Sequence, residues 1–424
     1  MIVGWRCAVC ATTVDVATPY PFTCPRSKPE DRHHVLHPWT VGEEPAVLED
    51  PNPFVAYGPR LAWWAFARSH GMTEAACTAL TRELADGFVV TPFARSASVS
   101  DALGADVWVK DETGNVAGSH KGRHLVTILL HLVAAESLRL ATGQRRPLAI
   151  ASCGNAAIAA ATLARRAHWP LDVFVPTWAG SAVIDTLEGL GATIHRCERR
   201  TSDPPGDPAV LRFREAVAAG AVPFSVQGPE NALCLDGGRT IGWELADAGA
   251  GLDRVVVQVG GGAMAACTGW GLGTGVRLDV VQTEGCAPLA RAVERAADLA
   301  DDELGVHWGE LMTPWDAPTS AADGILDDET YDWLGVLDVV RRSGGRAIVA
   351  PEPAIGEAHE LGAATVARVS ATGTAGLAAL LTPAGAPQAG ERVAVVFSGV
   401  DRSREARRPE AVEPAAPTRE SADR

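Results

Sequence analysis

The chain has 424 residues, 47% of them hydrophobic, which is more apolar material than one small core needs and suits two domains. A formal net charge of -15 argues against a nucleic-acid partner, because a phosphate-backbone binder needs a clustered excess of Lys and Arg. No run of about 18 apolar residues is available to cross a membrane, MIVGWRC lacks a signal-peptide pattern, and nine scattered cysteines read as reduced thiols, so a cytoplasmic protein without structural disulfides is expected.

Residues 1–46 are rich in Pro, Cys and His and read as an irregular extension packed on the main body. From about Val107 onward the apolar runs VWVK, LAIA, LDVFV, ATIH, RVVVQV, VRLDVVQ and RVAVVF alternate with Ala- and Leu-rich helical patterns. That alternation predicts an α/β protein with mostly parallel sheet and helices on both faces. Two separate groups of strand and helix units predict two such sheets, with a cofactor in the cleft between them.

The stretch VWVKDETGNVAGSHKGRHLVTILLHLV places a cation where an apolar side chain is expected. Leu125, Ile128, Leu129, Leu132 and Val133 recur at helical spacing, and Lys121 lies one turn before Leu125 on that face. Burial favours the neutral amine, which is the form that condenses with an aldehyde. On this helix alone, the better reading is a lysine whose stem lies on apolar surface and whose ammonium reaches water.

Next, ASCGNAAIAAATLARRA follows the strand LAIA and opens a helix, with Ser152, Gly154 and Asn155 at the turn. Glycine there lets backbone approach a ligand, and N–H groups at a helix start bind carboxylates. An ordinary helix cap has the same composition. RRTSDPPGDPAV, further on, reads as a surface loop from its prolines and glycine.

In RVVVQVGGGAMAACTGWG, Gly260, Gly261 and Gly262 join a buried strand to a helix, a pattern suited to cradling one phosphate on free N–H groups. Gly260, Gly262 and Ala265 also have the G-x-G-x-x-A spacing of a dinucleotide site, with Asp279 about twenty residues on. A dinucleotide fold carries that fingerprint in its first βαβ unit, whereas this loop comes late in the chain. The end of the chain, residues 403–424, is charged, rich in Pro and Ala, and expected to be disordered.

Taken in order, these motifs resemble the fold-type II pyridoxal phosphate enzymes, the group of threonine synthase, the serine/threonine ammonia-lyases, cysteine synthase and the tryptophan synthase beta subunit. The resemblance runs from about Val90 to Val400 and includes KDE followed by GSHKGR around Lys121, SCGNAA at Ser152 to Ala157, GGRTIGWEL at Gly237 to Leu245 and the GGGAM loop. TSAADGI, SATGTAGLAALL and VVFSG are similar to later landmarks of the family.

The resemblance implies a large cofactor-binding domain from residues 47–142 and 223–402, and a small substrate-gating domain from residues 143–222. It implies that Lys121 bonds the pyridoxal phosphate and later removes the substrate α-proton. Asn155 would hydrogen-bond the cofactor's 3'-oxygen, and Ser152, Cys153, Gly154, Asn155 and Ala156 would hold the substrate carboxylate. Gly260, Gly261, Gly262, Ala263 and Met264 would bind the cofactor phosphate, and Ser398 would face the pyridine nitrogen with a neutral hydroxyl. His120, Gly122 and Cys153 depart from the commonest pattern, which bears on the substrate and not on the cofactor.

Cys7, Cys10 and Cys24 resemble part of the zinc-ribbon extension of some threonine synthase-like proteins. No second Cys pair follows Cys24, so His33, His34 or His37 would have to supply the fourth ligand, and a degenerate remnant is the expectation. For the whole chain the sequence points to a pyridoxal phosphate lyase acting on a hydroxy- or phosphohydroxy-amino acid, threonine synthase-like first and serine/threonine ammonia-lyase second. A small amino-acid substrate and a homodimer come with that resemblance. A non-catalytic protein that keeps the cofactor fold is the reading from another class.

Overall fold

Each apolar run picked out from the sequence lies in a strand of the computed structural model, which describes residues 1–28, 31, 33–141, 144–204 and 206–402. The tail predicted to be disordered lies outside the described residues. Thirteen strands are present among the described residues: β1 (Ile2–Cys7), β2 (Thr13–Asp15), β3 (Leu36–Thr40), β4 (Phe93–Arg95), β5 (Asp106–Asp111), β6 (Leu148–Ala151), β7 (Leu171–Pro176), β8 (Thr193–Cys197), β9 (Val222–Pro223), β10 (Arg254–Gln258), β11 (Arg277–Thr283), β12 (Ala347–Ala350) and β13 (Arg392–Phe397). They form three sheets, ordered β2-β1-β3, β12-β11-β10-β13-β5-β4 and β8-β7-β6-β9.

The six-stranded sheet is parallel except for its edge strand β4, which runs antiparallel to β5. Its central strands are apolar on both faces, as a sheet covered on both sides requires. Val255, Val257, Val280, Ala394 and Val396 face one core, while Val107, Val109, Val256, Val281, Val393 and Val395 face another. The alternation follows from successive side chains pointing to opposite sides of a strand. The four-stranded sheet is parallel throughout and repeats the arrangement on a smaller scale, with Ala149, Phe174 and Phe213 in its second core.

The Lys121–Ser137 helix is buried more completely than its apolar stripe predicts. Leu125, Ile128, Leu129 and Leu132 are buried as expected, Val133 is only half-buried, and Arg123, His124, Thr127 and His131 are buried on the other faces. Those polar groups have specific partners: His131 Nε2 meets the Pro19 carbonyl at 2.7 Å, while its Nδ1 has none among the described residues, and its ring stacks on Phe66 at 4.1 Å. Period alone could not reveal this, because a buried polar side chain with a partner looks in sequence like an exposed one.

The described part of residues 1–46 is not wholly irregular, for it contains a small three-stranded sheet. β1 pairs antiparallel with both β2 and β3, burying Ile2, Trp5 and Cys7. The strands escape notice because they are short and because Pro38 lies within β3, where an edge strand tolerates it. The segment predicted as a surface loop is exposed over most of its length and ends at the Pro208–Ala218 helix, which Asp207 caps by accepting from Ala209 N at 2.8 Å.

Candidate active site

The predicted site residues come from separate parts of the chain and meet where the C-terminal ends of the two large sheets face each other, the usual ligand position in open α/β sheets. After β5, residues 118–120 are stitched to the end of β13: Val400 N donates to Gly118 O at 2.9 Å and His120 N to Ser398 O at 3.0 Å. Lys121 then opens its helix, with its N–H directed to Ser119 Oγ at 3.4 Å. From the other sheet, Asn155 opens the helix after β6, and a Cβ at Gly399 would lie 3.0 Å from its amide nitrogen. Arg402 Nε donates to Asn155 Oδ1 at 2.9 Å and closes the same corner.

The glycine loop joins this group through an acidic residue that the sequence did not single out. A Cβ on Gly260 would collide with Asp327 Oδ2, and a Cβ on Gly261 would lie 3.7 Å from the same oxygen, so both glycines lie against the Asp327 carboxylate. That carboxylate is an anionic oxygen held at the start of the Ala263–Leu272 helix, the position a phosphate oxygen would take. Burial, offset in part by Lys121, raises Asp327 to about 6. Asp332 lies close by, its Oδ2 accepting from Gly228 N at 3.2 Å, and burial raises it to about 7.

Lys121 is the cation these two acids face. Burial pulls its amine below the ordinary lysine range, against the opposing charges of Asp327, Cys234 and Asp332. His120 is buried and held neutral, first by burial and then by the neighbouring charge of Lys121. Its Nδ1 is 3.3 Å from His124 Nε2, and His124 Nδ1 is 2.8 Å from the Cys234 carbonyl. A carbonyl only accepts, so neutral His124 donates from Nδ1 and accepts at Nε2. His120 must then carry its proton on Nδ1, which leaves its Nε2 as an acceptor.

Ser398 is buried at the end of β13, and its Oγ accepts from Gln258 Nε2 at 2.8 Å. With that lone pair used, its own proton is free to be donated to an acceptor in the cleft. Ser152 Oγ accepts from Gly154 N at 3.3 Å, which shapes the turn; Cys153 is half-buried, and burial raises its thiol.

Two landmark motifs prove to be structural. Lys110 and Glu112 of KDE, Arg123 of HKGR and Glu244 of RTIGWEL form one buried charge network with Thr91. Burial alone would raise Glu112, but Arg123 and then Lys110 hold it down to about 2. The network braces the first turn of the Lys121–Ser137 helix against β5 and the Arg239–Asp247 helix. No spacing rule pairs Arg123 with Glu244, 121 residues away.

Asp279, the acidic residue of the dinucleotide pattern, is fully buried and 3.2 Å from Arg254 Nη1. A side chain committed to that ion pair has no free carboxylate for a ribose.

Residues 84–399 match the family of pyridoxal-phosphate dependent enzymes. The chain belongs to that family. Among curated relatives it is 27% identical over 236 residues to a beta-hydroxyaspartate dehydratase of Paracoccus denitrificans, covering 56% of this chain and 67% of that protein. It is 30% identical over 179 residues to a serine dehydratase-like protein of Mus musculus, covering 42% of this chain and 50% of that one. An L-threonine ammonia-lyase of Thermotoga maritima is 29% identical over 41% of this chain and 40% of its own length. Apart from the first, the matches span half or less of these relatives.

Among solved structures, maize serine racemase superposes with a TM-score of 0.62 at 18% identity, covering 76% of this chain and 92% of that one. The processed form of threonine deaminase isoform 2 from Solanum lycopersicum superposes with a TM-score of 0.60 at 15% identity, covering 86% and 95%. Both likenesses concern the fold.

The residues of this pyridoxal-phosphate dependent enzyme suit its cofactor. Lys121 offers a buried amine of lowered proton affinity, and Gly260 and Gly261 already lie against the carboxylate oxygen of Asp327. Ser398 offers a neutral hydroxyl whose acceptor site is occupied by Gln258. Among the described residues, no helix is long and apolar enough to cross a membrane.

Proposed function

We propose that the enzyme is a dehydratase of the ammonia-lyase type, removing water from a hydroxy-amino acid. One observation carries the reading: Lys121, the residue that would hold the cofactor, feels the charges of two buried acids of raised pKa, Asp327 and Asp332. Such a site can take up a proton at Lys121 Nζ, and Asp332 keeps a further proton near at hand at neutral pH. The dehydratase and ammonia-lyase relatives support the same reading.

When bound, pyridoxal phosphate withdraws electrons from the substrate α-carbon. Lys121 Nζ receives the α-proton. Ser152, Cys153, Gly154, Asn155 and Ala156 would hold the substrate carboxylate at the helix start, and Asn155 would also hydrogen-bond the cofactor's 3'-oxygen. Gly260, Gly261, Gly262, Ala263 and Met264 hold the cofactor phosphate. Ser398 would donate to the ring nitrogen and leave it unprotonated, which favours prompt loss of a leaving group. Loss of the α-proton and the β-hydroxyl as water leaves a product that hydrolyses to ammonia and a 2-oxo acid.

The second reading is threonine synthase-like elimination and replacement on a phosphohydroxy-amino acid, favoured by GGRTIGWEL and by the Cys-bearing extension. A cytoplasmic homodimer with residues 143–222 as the substrate-gating unit accompanies either reading. The test is to incubate the holoenzyme with L-serine, L-threonine and β-hydroxyaspartate, following 2-oxo acid and ammonia, and with O-phosphohomoserine, following phosphate. Release of 2-oxo acid supports the dehydratase, and phosphate release alone replaces it with the second reading. Lys121→Ala should abolish both turnover and the visible absorption of the bound cofactor. A colourless wild-type protein that binds a dinucleotide overturns both readings.

A further inference from the structure

Beyond the cofactor site, one cluster of reactive side chains stands unexplained. Cys7 at the end of β1, Cys10 in the following turn, Cys24 and His34 place their ligand atoms all within 4.8 Å of one another. Cys7 Sγ is 3.4 Å from His34 Nδ1, and Cys10 Sγ is 3.6 Å from Cys24 Sγ. Tetrahedral zinc with Zn–S of about 2.3 Å and Zn–N of about 2.0 Å separates its ligand atoms by roughly 3.5 to 3.8 Å. The two observed separations lie within about 0.2 Å of those edges. They are far from a disulfide bond of about 2.05 Å, and all four groups are at least half-buried.

The geometry around the four groups is also that of a metal site. Cys7 and Cys10 lie on a tight turn in which Ala11 N donates to Cys7 O at 3.0 Å and Cys7 N to Thr12 O at 2.8 Å, so both thiols face the same point. Ala11 takes a left-handed conformation, φ 56°, to complete the turn. Cys24 Sγ accepts from Arg26 N at 3.4 Å, a bond that stabilises a thiolate. His34 turns Nδ1 toward Cys7, while its Nε2 lies 3.3 Å from Asp31 Oδ2. A carboxylate on the far nitrogen fixes the tautomer and orientation of a metal-bound imidazole. Of the three histidines available, His33 instead stacks on Trp308 at 4.9 Å and His37 packs on Trp270 at 5.0 Å.

We propose that Cys7, Cys10, Cys24 and His34 form a closed four-ligand zinc site, oriented by Asp31, that fastens the N-terminal sheet to the body of the enzyme. Three thiolates and an imidazole leave no open position, so the ion is structural and not catalytic. Its place in the fold shows what it fastens. The chain between Cys10 and Cys24 carries Pro19, whose carbonyl meets His131 on the Lys121–Ser137 helix, and Phe22, whose carbonyl accepts from Ala232 N at 2.7 Å. Zinc therefore tethers the segment that holds both contacts. The proposal is independent of the reaction the enzyme performs.

The full-length holoenzyme, purified under reducing conditions from zinc-supplemented culture, is tested by metal analysis. About one zinc per chain is expected for a single four-ligand site, and cobalt(II) exchanged for it should give the intense visible bands of a tetrahedral thiolate-rich site. Cys10→Ser, at the half-buried ligand, should lose the ion, whereas Cys77→Ser should keep it. Asp31→Ala alters an exposed residue and should fold, with zinc affinity weakened about 10- to 100-fold. Chelation should speed hydrogen exchange at the Ala232 amide while the bound cofactor's absorption persists. Absence of metal with a Cys10–Cys24 disulfide in its place, iron in place of zinc, or zinc retained by Cys10→Ser overturns the proposal.

Discussion

Arg123 Nη1 lies 2.6 Å from Glu244 Oε1, with neither side chain exposed to solvent. The same guanidinium grips Glu112 through two bonds, Nε to Oε2 at 2.8 Å and Nη2 to Oε1 at 2.9 Å, while Lys110 Nζ reaches Glu244 Oε2 at 2.5 Å. Two cations and two anions thus balance inside the protein. Removing one member leaves an uncompensated buried charge, which costs about 3–5 kcal/mol. Glu244→Gln should lower holoenzyme stability by that order in chemical denaturation. Arg200→Ala, which breaks the exposed pair with Glu215, should change it by less than about 1 kcal/mol. Equal effects would mean that the buried network is not coupled as its geometry implies.

The carboxylate of Asp327 against Gly260 and Gly261 makes a second prediction. Asp327 titrates near 6, so above that pH it puts a negative charge where the cofactor phosphate is received. Asp327→Asn removes the charge and should tighten pyridoxal phosphate binding at pH 8 on the order of tenfold, as expected for like charges a few ångströms apart. At pH 5 the wild-type side chain is already protonated and the two proteins should bind alike. Fluorescence titration of the apoenzyme across this range provides the comparison. A ratio that stays constant with pH would show that Asp327 leaves the loop whenever phosphate enters.

Gly262 has φ of 98°, and a Cβ there would sit 3.0 Å from Thr330 Cγ2 and 3.1 Å from Val336 Cγ2. Gly262→Ala combines left-handed strain with crowding and should cost about 1–3 kcal/mol. Cofactor affinity should fall with stability, because the strained residue is the one that turns β10 into the Ala263–Leu272 helix. Gly275→Ala is the matching control, since a Cβ there would meet nothing within 4 Å.

The sheets were legible in the sequence because buried parallel strands are written as uninterrupted apolar runs, so RVAVVF and LAIA coincide with β13 and β6. The ordered motifs around Lys121, Asn155 and the glycine loop were legible because each couples a strand end to a helix start. Asp327 and Asp332 were not, for they lie in a segment without periodic structure and act only through their approach to Lys121 and the glycines. Glu244 was noticed as a family landmark, but its partners Lys110 and Arg123 are defined only by folding. His34 could not be chosen from its two neighbours by spacing, since the choice depends on which ring β3 and Trp308 leave facing Cys7.

Asp332 supplies the last prediction. Its Oδ2 accepts one bond from Gly228 N, its Oδ1 has no partner among the described residues, and burial raises it from the usual 3.8 to about 7. A raised acid binds its proton more tightly folded than unfolded, so its contribution is fully present below about pH 4 and is lost as pH rises through about 7. An asparagine amide in its place would keep an acceptor for Gly228 N and cannot ionise. Asp332→Asn should therefore match the wild type in stability near pH 4 and exceed it by pH 8. A shift of about three pKa units corresponds to up to about 4 kcal/mol. Denaturant unfolding of both proteins at several pH values between 4 and 8 measures the difference, and a pH-independent difference would show that Asp332 does not carry its proton in the folded enzyme.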